Sequence, residues 1–262
     1  MHKKHTPDGF AKFRARHARS ARHSLLLLPP AKRRALRRNL IFIGVALGLV
    51  LCIALLSKAH AAGGAYVVDD GAINAPGSCN VDAWYSASRQ ASGTLSPACT
   101  FSALPTVQWG APLSRGGGET QFSPQLKTQV VAREDLGLEL AISAGLHVAL
   151  DRRHALEGAE LNVPLTWQPF QPLRLNLNAG WSHAYDDGER NQRLTWGAGA
   201  EYQVADRWTL IAERYGQQGG DQAWQAGPRL HVGERIDVDL LVGRSLVGER
   251  DQWLSTGATL RF

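Results

Sequence analysis

Over most of its length the chain alternates, with an apolar residue at every second position and a polar or small one between. Leu161, Val163, Leu165 and Trp167 alternate with Glu160, Asn162, Pro164 and Thr166. Leu173, Leu175, Leu177, Ala179 and Trp181 follow the same beat, as do Leu194, Trp196, Ala198, Ala200 and Tyr202, and then Ile236, Val238, Leu240 and Val242. Leu254, Thr256, Ala258, Leu260 and Phe262 close the chain on it. A repeat of two belongs to a strand with one apolar face, and no segment after residue 62 carries the longer repeat of an amphipathic helix. Twelve strands are expected, at 80–88, 97–104, 106–114, 119–131, 136–149, 157–168, 172–184, 193–204, 207–217, 223–233, 235–246 and 252–262. Turn-forming residues separate them. The connections after even strands are tight, as at Pro105, 132–135, 169–171, 205–206 and 233–234, and those after odd strands are longer and more polar, as at 186–192 and 217–222.

Alternation alone also fits a soluble sandwich whose apolar face turns inward. Three features favour an apolar face turned outward, toward lipid. Gly110, Gly145, Gly180, Gly197, Gly199, Gly227, Gly243 and Gly257 all fall on the polar face. Glycine weakens a strand interior and marks close approach, so these positions are expected to admit long Arg and Glu side chains inside a narrow barrel. Trp181, Trp196 and Trp224 sit at the loop ends of their strands, and Trp167, Tyr202, Trp208 and Phe262 at the turn ends. All share the parity of the apolar face and would form two membrane girdles, although Trp109 departs from the scheme and Trp253 falls on the polar face. Most strands are also longer than the five or six residues common in globular proteins and match a tilted membrane crossing. In lipid every backbone polar group must be paired, which demands a closed wall. The expected fold is therefore all-β: a closed antiparallel transmembrane β-barrel of twelve strands. A ten-stranded closure, leaving residues 79–104 outside the wall, is the alternative.

Residues 1–61 hold 13 of the 29 Lys and Arg and one of the 23 Asp and Glu, leaving 16 basic and 22 acidic side chains downstream. The overall charge of +6 is thus an N-terminal property. The acidic remainder argues against nucleic-acid binding. The basic stretch ends in Lys32, Arg33, Arg34, Arg37 and Arg38, the chain is uncharged from Leu40 to Leu56, and Ala59-His60-Ala61 follows. This is the order of a signal peptide, with cleavage expected after Ala61. An uncleaved anchor is the competing reading. Cys52 follows Leu51 where a lipoprotein signal needs a small residue, which argues against a lipid anchor. The expected division is a signal peptide at 1–61, a periplasmic leader at 62–78 and the barrel at 79–262. Cys79 and Cys99 remain after cleavage, an even pair in an exported chain, and are expected to form a disulfide. Closing a loop of about twenty residues would contribute roughly 3 kcal/mol on the entropic account.

The terminal strand, with Phe262, Leu260 and Ala258 at alternate positions, resembles the C-terminal signal of outer-membrane barrels. Val67-Val68-Asp69-Asp70, Pro76-Gly77-Ser78-Cys79, Trp84 and Pro97-Ala98-Cys99 are together similar to a group of uncharacterised proteobacterial outer-membrane proteins. Leu175-Asn176-Leu177-Asn178-Ala179-Gly180-Trp181 and Thr195-Trp196-Gly197-Ala198-Gly199 extend the likeness, which covers most of residues 66–262. The resemblance implies an outer-membrane, porin-like barrel recognised through its last strand by the barrel-assembly machinery. It carries no catalytic residues.

The polar face contributes Lys127, Glu139, His147, Glu160, Arg174, Glu201, Glu213, Arg229, His231, Asp237, Asp239 and Arg261 as candidate lumen-lining residues. Either they line a polar pore with a mild cation preference, or they neutralise one another and fill the lumen. No enzyme is expected. His147 and His231 are followed two residues on by Ala149 and Gly233, which supply no nucleophile, and Ser182 and His183 face opposite sides. His231, Asp237 and Asp239 are ligand types, but without a His-x-His or Cys cluster no metal or other cofactor is expected. The expected role is a passive small-solute channel or structural barrel in the outer membrane of a Gram-negative bacterium, with membrane lipid and the assembly machinery as partners. The alternatives are a non-pore periplasmic or surface binding β-protein and, further off, an outer-membrane hydrolase.

Overall fold

The computed structural model describes residues 65–151, 156–186, 189–248 and 251–262, apart from the side chains of 186–190. The signal peptide and its cleavage site lie outside the described residues.

The chain forms one sheet of fourteen strand segments: β1 (Ser78–Ala87), β2 (Ser92–Thr100), β3 (Val107–Gly110), β4 (Leu113–Gly116), β5 (Glu119–Phe122), β6 (Gln125–Arg133), β7 (Leu138–Ala149), β8 (Leu156–Phe170), β9 (Leu173–Asp186), β10 (Glu189–Ala205), β11 (Trp208–Gln217), β12 (Gln222–Val232), β13 (Ile236–Ser245) and β14 (Gln252–Arg261). All pairings are antiparallel, and β1 pairs with both β2 and β14, so the sheet closes on itself. Two wall strands are each split by proline, which cannot donate to the ladder. Ala111-Pro112 separates β3 from β4, and Ser123-Pro124 separates β5 from β6. The register on either side of each break is continuous: β2 meets β3 at Ala98↔Gly110 and β4 at Leu95↔Leu113. The wall therefore has twelve strands.

The barrel is apolar outside and polar inside. Leu177, Leu210, Leu240, Val242 and Leu254 are exposed on the outer face, whereas Lys127, Glu213, Arg229, Asp237 and Asp239 are buried inside it. Trp167, Tyr202 and Phe262 stand exposed at the end where β1 begins and β14 finishes, here the turn end, and Trp196 and Trp224 toward the opposite, loop end. Trp208 and Trp181 are half-buried on the same outward parity at the turn and loop ends respectively. Trp109 is exposed on the outer face. Trp253 points inward, and its indole N–H donates to Gln225 (3.1 Å).

Three local expectations are corrected. The strand expected at 97–104 runs instead over Ser92–Thr100, because β1 aligns Cys79 with Cys99, where the disulfide forms. Small residues dominate this segment, so its alternation is weak and the cross-strand pairing sets its bounds. The polar stretch 186–192 is not a long loop. Glu189 pairs with Asp186 and Gln192 with His183, so β9 runs on to Asp186 and β10 already begins at Glu189. Among the connections that are wholly described, those at the loop end run from two to four residues and those at the turn end from two to six, so the expected asymmetry is absent there. Past the apolar band both faces of a strand meet a polar surrounding, so polarity there no longer distinguishes loop from strand.

Candidate functional site

The lumen holds the polar chemistry of this chain, and its most prominent occupant comes from outside the wall. Residues 65–77, expected as the end of a periplasmic leader, enter at the turn end, where the Gly77 N–H donates to the Thr100 carbonyl, and cross the interior. Backbone donors along this segment find wall side chains as acceptors. The N–H groups of Val67 and Val68 donate to the two oxygens of Glu213 (2.8 and 3.1 Å). Those of Asp69, Gly71 and Asn74 donate to Asn178 (2.8 Å), Thr166 (2.8 Å) and Gln108 (2.7 Å). Asn178 donates back to the Asp69 carbonyl (2.7 Å), and Gln225 donates to that of Ala65 (2.8 Å). A segment without regular structure must satisfy its buried backbone groups with side chains, and here the wall supplies them.

Charge fastens the middle of the segment. Lys127 Nζ lies 2.8 Å from Asp69 and 3.2 Å from Asp70, and Arg174 reaches Asp70 (3.4 Å) and Glu139 (3.1 Å). Glu201 lies 4.0 Å from Arg174 and accepts from Asn176 (2.7 Å). Burial alone would raise the Asp70 carboxyl, but Lys127 and then Arg174 outweigh it and hold the group below its ordinary value. Tyr66 fixes the inner end: its hydroxyl donates to Asp239 (3.0 Å) while the Arg229 guanidinium lies 4.6 Å from its ring.

The glycine expectation is revised by the same segment. A Cβ on Gly197 would come within 2.9 Å of Val68, and one on Gly199 within 3.4 Å of it. These two glycines make room for an inserted valine rather than for charged side chains of the opposite wall. Gly243 is cleared for the Trp253 ring and Gly257 for Trp84; Gly145 faces Glu160, as the expectation had it.

The twelve candidate residues fall into three groups. Lys127, Glu139, Arg174, Glu201 and Glu213 hold the segment. Arg229, His231, Asp237 and Asp239 form a buried cluster, joined by the half-buried Arg261, that meets the segment through Tyr66. Arg229 pairs with Asp239 through two nitrogens (2.8 and 3.1 Å), and Arg261 donates to Asp237. His147 and Glu160 lie 3.5 Å apart toward the loop end, where Ser123 also meets His147 (3.2 Å). No local pattern signals the segment's part. Val67-Val68-Asp69-Asp70 stood out only as a shared motif, and nothing local says that its carboxylates meet Lys127 and Arg174.

One relay in the buried cluster has the connectivity of a hydrolase triad. Thr209 Oγ1 lies 2.8 Å from His231 Nε2, and His231 Nδ1 lies 2.6 Å from Asp237. A nucleophile also needs room for a substrate. The Thr209, His231 and Asp237 side chains are all buried, and the lumen cavity does not reach them. Asp237 is committed to Arg261 as well as to His231. The relay ties β11, β12, β13 and β14 together as a brace. The ligand types considered for a metal are consumed by the same contacts.

Above the segment lies a cavity of about 710 Å³ that reaches the loop end at Gln217, Asp221 and Gln222, with Val67, Val68 and Asp69 along its lining. Amides and hydroxyls, among them Thr94, Ser114, Gln125, Asn162 and Thr195, share its walls with carboxylates such as Asp82, Glu160 and Asp221, with Trp84 and Tyr215 between them.

Solved structures of similar fold are outer-membrane-type barrels. The KdgM porin aligns with a TM-score of 0.58 at 9% identity, over 70% of this chain and 99% of that one. The NanC porin aligns at 0.55 and 10% identity, over 70% and 98%. An outer membrane channel from Pseudomonas putida F1 aligns at 0.50 and 10% identity, over 73% and 97%. At these identities the likeness is one of fold. No curated protein matches the sequence. A family model does match, over residues 50–262, and the chain belongs to that family, Uncharacterised conserved protein UCP029691.

Proposed function

We propose that the protein is an outer-membrane barrel of a Gram-negative bacterium and works as a small-solute channel held shut by its own segment 65–74. The observation that carries this reading is what stands behind the segment. Small barrels can fill their interior with wall side chains alone. Here the wall presents Gly197 and Gly199 against Val68, and the short side chains of Thr166 and Asn178 receive the backbone. With the segment withdrawn, the space that Val68 fills beside Gly197 and Gly199 would open. Most of the contacts that keep it in place are polar or ionic, groups that water can satisfy once the segment leaves. The outward apolar band and its aromatic girdles support the membrane placement. The terminal strand, whose Phe262 exchanges backbone bonds with Cys79 (2.8 and 2.9 Å), is the part offered to the barrel-assembly machinery.

Conductance in planar bilayers tests the proposal. The wild-type protein is expected to be silent or to open rarely. Asp69→Asn with Asp70→Asn breaks both carboxylate contacts to Lys127 and removes that from Arg174, and should raise the open probability by at least about tenfold. Deleting residues 65–74 should give a steadily conducting barrel. Steady conduction by the wild-type protein would sink the closed state. Silence in all three proteins would favour a purely structural barrel, a reading the buried Arg229 cluster also fits.

A further inference from the structure

The outer face carries a second polar feature, at the loop-end edge of its apolar band. Along β13, Ile236, Val238, Leu240 and Val242 face outward, and the next outward position is Arg244. Along β11, Leu210 and Ala212 lead in the same way to Arg214. These two arginines are not scattered. Arg214 is directly opposite Trp224 on β12, and Trp224 is directly opposite Arg244. Trp196 on β10 completes the row, with the Arg214 guanidinium 5.8 Å from its ring. Trp196 and Trp224 are each 37% exposed. Four adjacent strands thus present Trp, Arg, Trp and Arg in order, where the apolar band ends.

Neither arginine forms an ion pair with a described carboxylate. Arg214 makes one long contact, to the Gln222 amide (3.4 Å), and Asp251, near the start of β14, accepts from the Gln252 N–H. The contrast is Arg133 at the turn end, which is held by Asp135 through two bonds (2.9 and 2.8 Å). Strand spacing puts the Arg214 and Arg244 backbones roughly 10 Å apart, within the joint reach of two long guanidinium arms. Guanidinium forks match phosphate oxygens, and indoles prefer the headgroup level of a membrane.

We infer that Trp196, Arg214, Trp224 and Arg244 form a binding site for the phosphorylated headgroup of a lipid in the leaflet at the loop end. The site rests on the membrane placement proposed above but not on the closed channel. Its occupant is anionic and lipid-borne: the arginines meet the phosphate while Ala212, Leu240 and Val242 meet the chains.

The test uses the mature barrel in an uncharged detergent, with lipid A, which carries two phosphates, as the probe. Lipid A should raise the thermal unfolding temperature of the wild-type protein saturably, whereas its dephosphorylated form should not. Arg214→Gln with Arg244→Gln should weaken the apparent affinity at least about tenfold, since each lost charge-assisted bond is worth of that order. Arg133→Gln should leave it unchanged. Equal responses of the wild-type protein and the double variant would overturn the site. So would equal responses to both lipid forms, or the same shift with inorganic phosphate at matched concentration. Heat-modifiable folding into vesicles is followed alongside. A wild-type chain that stays dissolved without detergent would remove the membrane placement and the site together, whereas vesicle folding with an unaffected double variant removes the site alone.

Discussion

Arg229→Met is expected to destabilise the folded barrel by about 3–5 kcal/mol, the usual cost of stranding a buried charge. The Arg229 and Asp239 side chains are 1% and 0% exposed. Arg229 Nε and Nη2 meet the two oxygens of Asp239 at 2.8 and 3.1 Å, and Nη1 lies 4.0 Å from Asp237. Removing the guanidinium leaves Asp239 facing the Tyr66 hydroxyl (3.0 Å) without its buried cation. It also takes the cation from the Tyr66 ring, which loosens the inner end of the lumen segment. Adding Asp239→Leu removes the stranded carboxylate, and most of the loss should return, because a buried pair and a well-packed apolar pair differ little in net stability. Urea unfolding from vesicles, followed by tryptophan fluorescence, reads both variants. A single variant within about 1 kcal/mol of wild type, the worth of an exposed pair, would mean that the cluster is solvated.

Leu240→Arg should cost about 2–4 kcal/mol if its place on β13 lies near the bilayer midplane. Leu240 is 48% exposed on the outer face, between Val238 and Val242, and Leu177 on β9 is 51% exposed in the same manner. In a soluble barrel such positions would be surface, where substitutions away from special features usually change stability by less than about 0.5 kcal/mol. The experiment therefore separates the two settings sharply. Folding free energy into vesicles should fall for Leu240→Arg and for Leu177→Arg alike. If neither substitution changed it, the outward face would not be facing lipid. The neighbouring Leu241 is fully buried within the lumen, one residue along and on the opposite side, so a change there tests packing instead.

Much of the wall was legible from alternation. The expected strands at 157–168, 223–233, 235–246 and 252–262 correspond to β8, β12, β13 and β14 with shifts of one or two residues at most ends. Their apolar and polar faces were readable because a strand's two faces are written into neighbouring residues, so that the pattern and its meaning are both local. The failures have a common form. Ser92–Thr100 lacks a strong apolar face, so its register was set by Cys79 across the hairpin. The pairing of Glu189 with Asp186 lies beyond the apolar band, where alternation carries no signal.

The sequence by itself determined a closed wall with a greasy exterior and a charged interior, because each residue's side follows from its place in a two-residue beat. Only the tertiary structure decided what fills that interior. The meeting of Asp70 with Lys127 and Arg174, of Glu213 with the backbone of Val67 and Val68, and of Val68 with Gly197 brings together residues from five parts of the chain. Such contacts depend on the curvature and closure of the whole sheet, and no local pattern encodes a distance across a barrel.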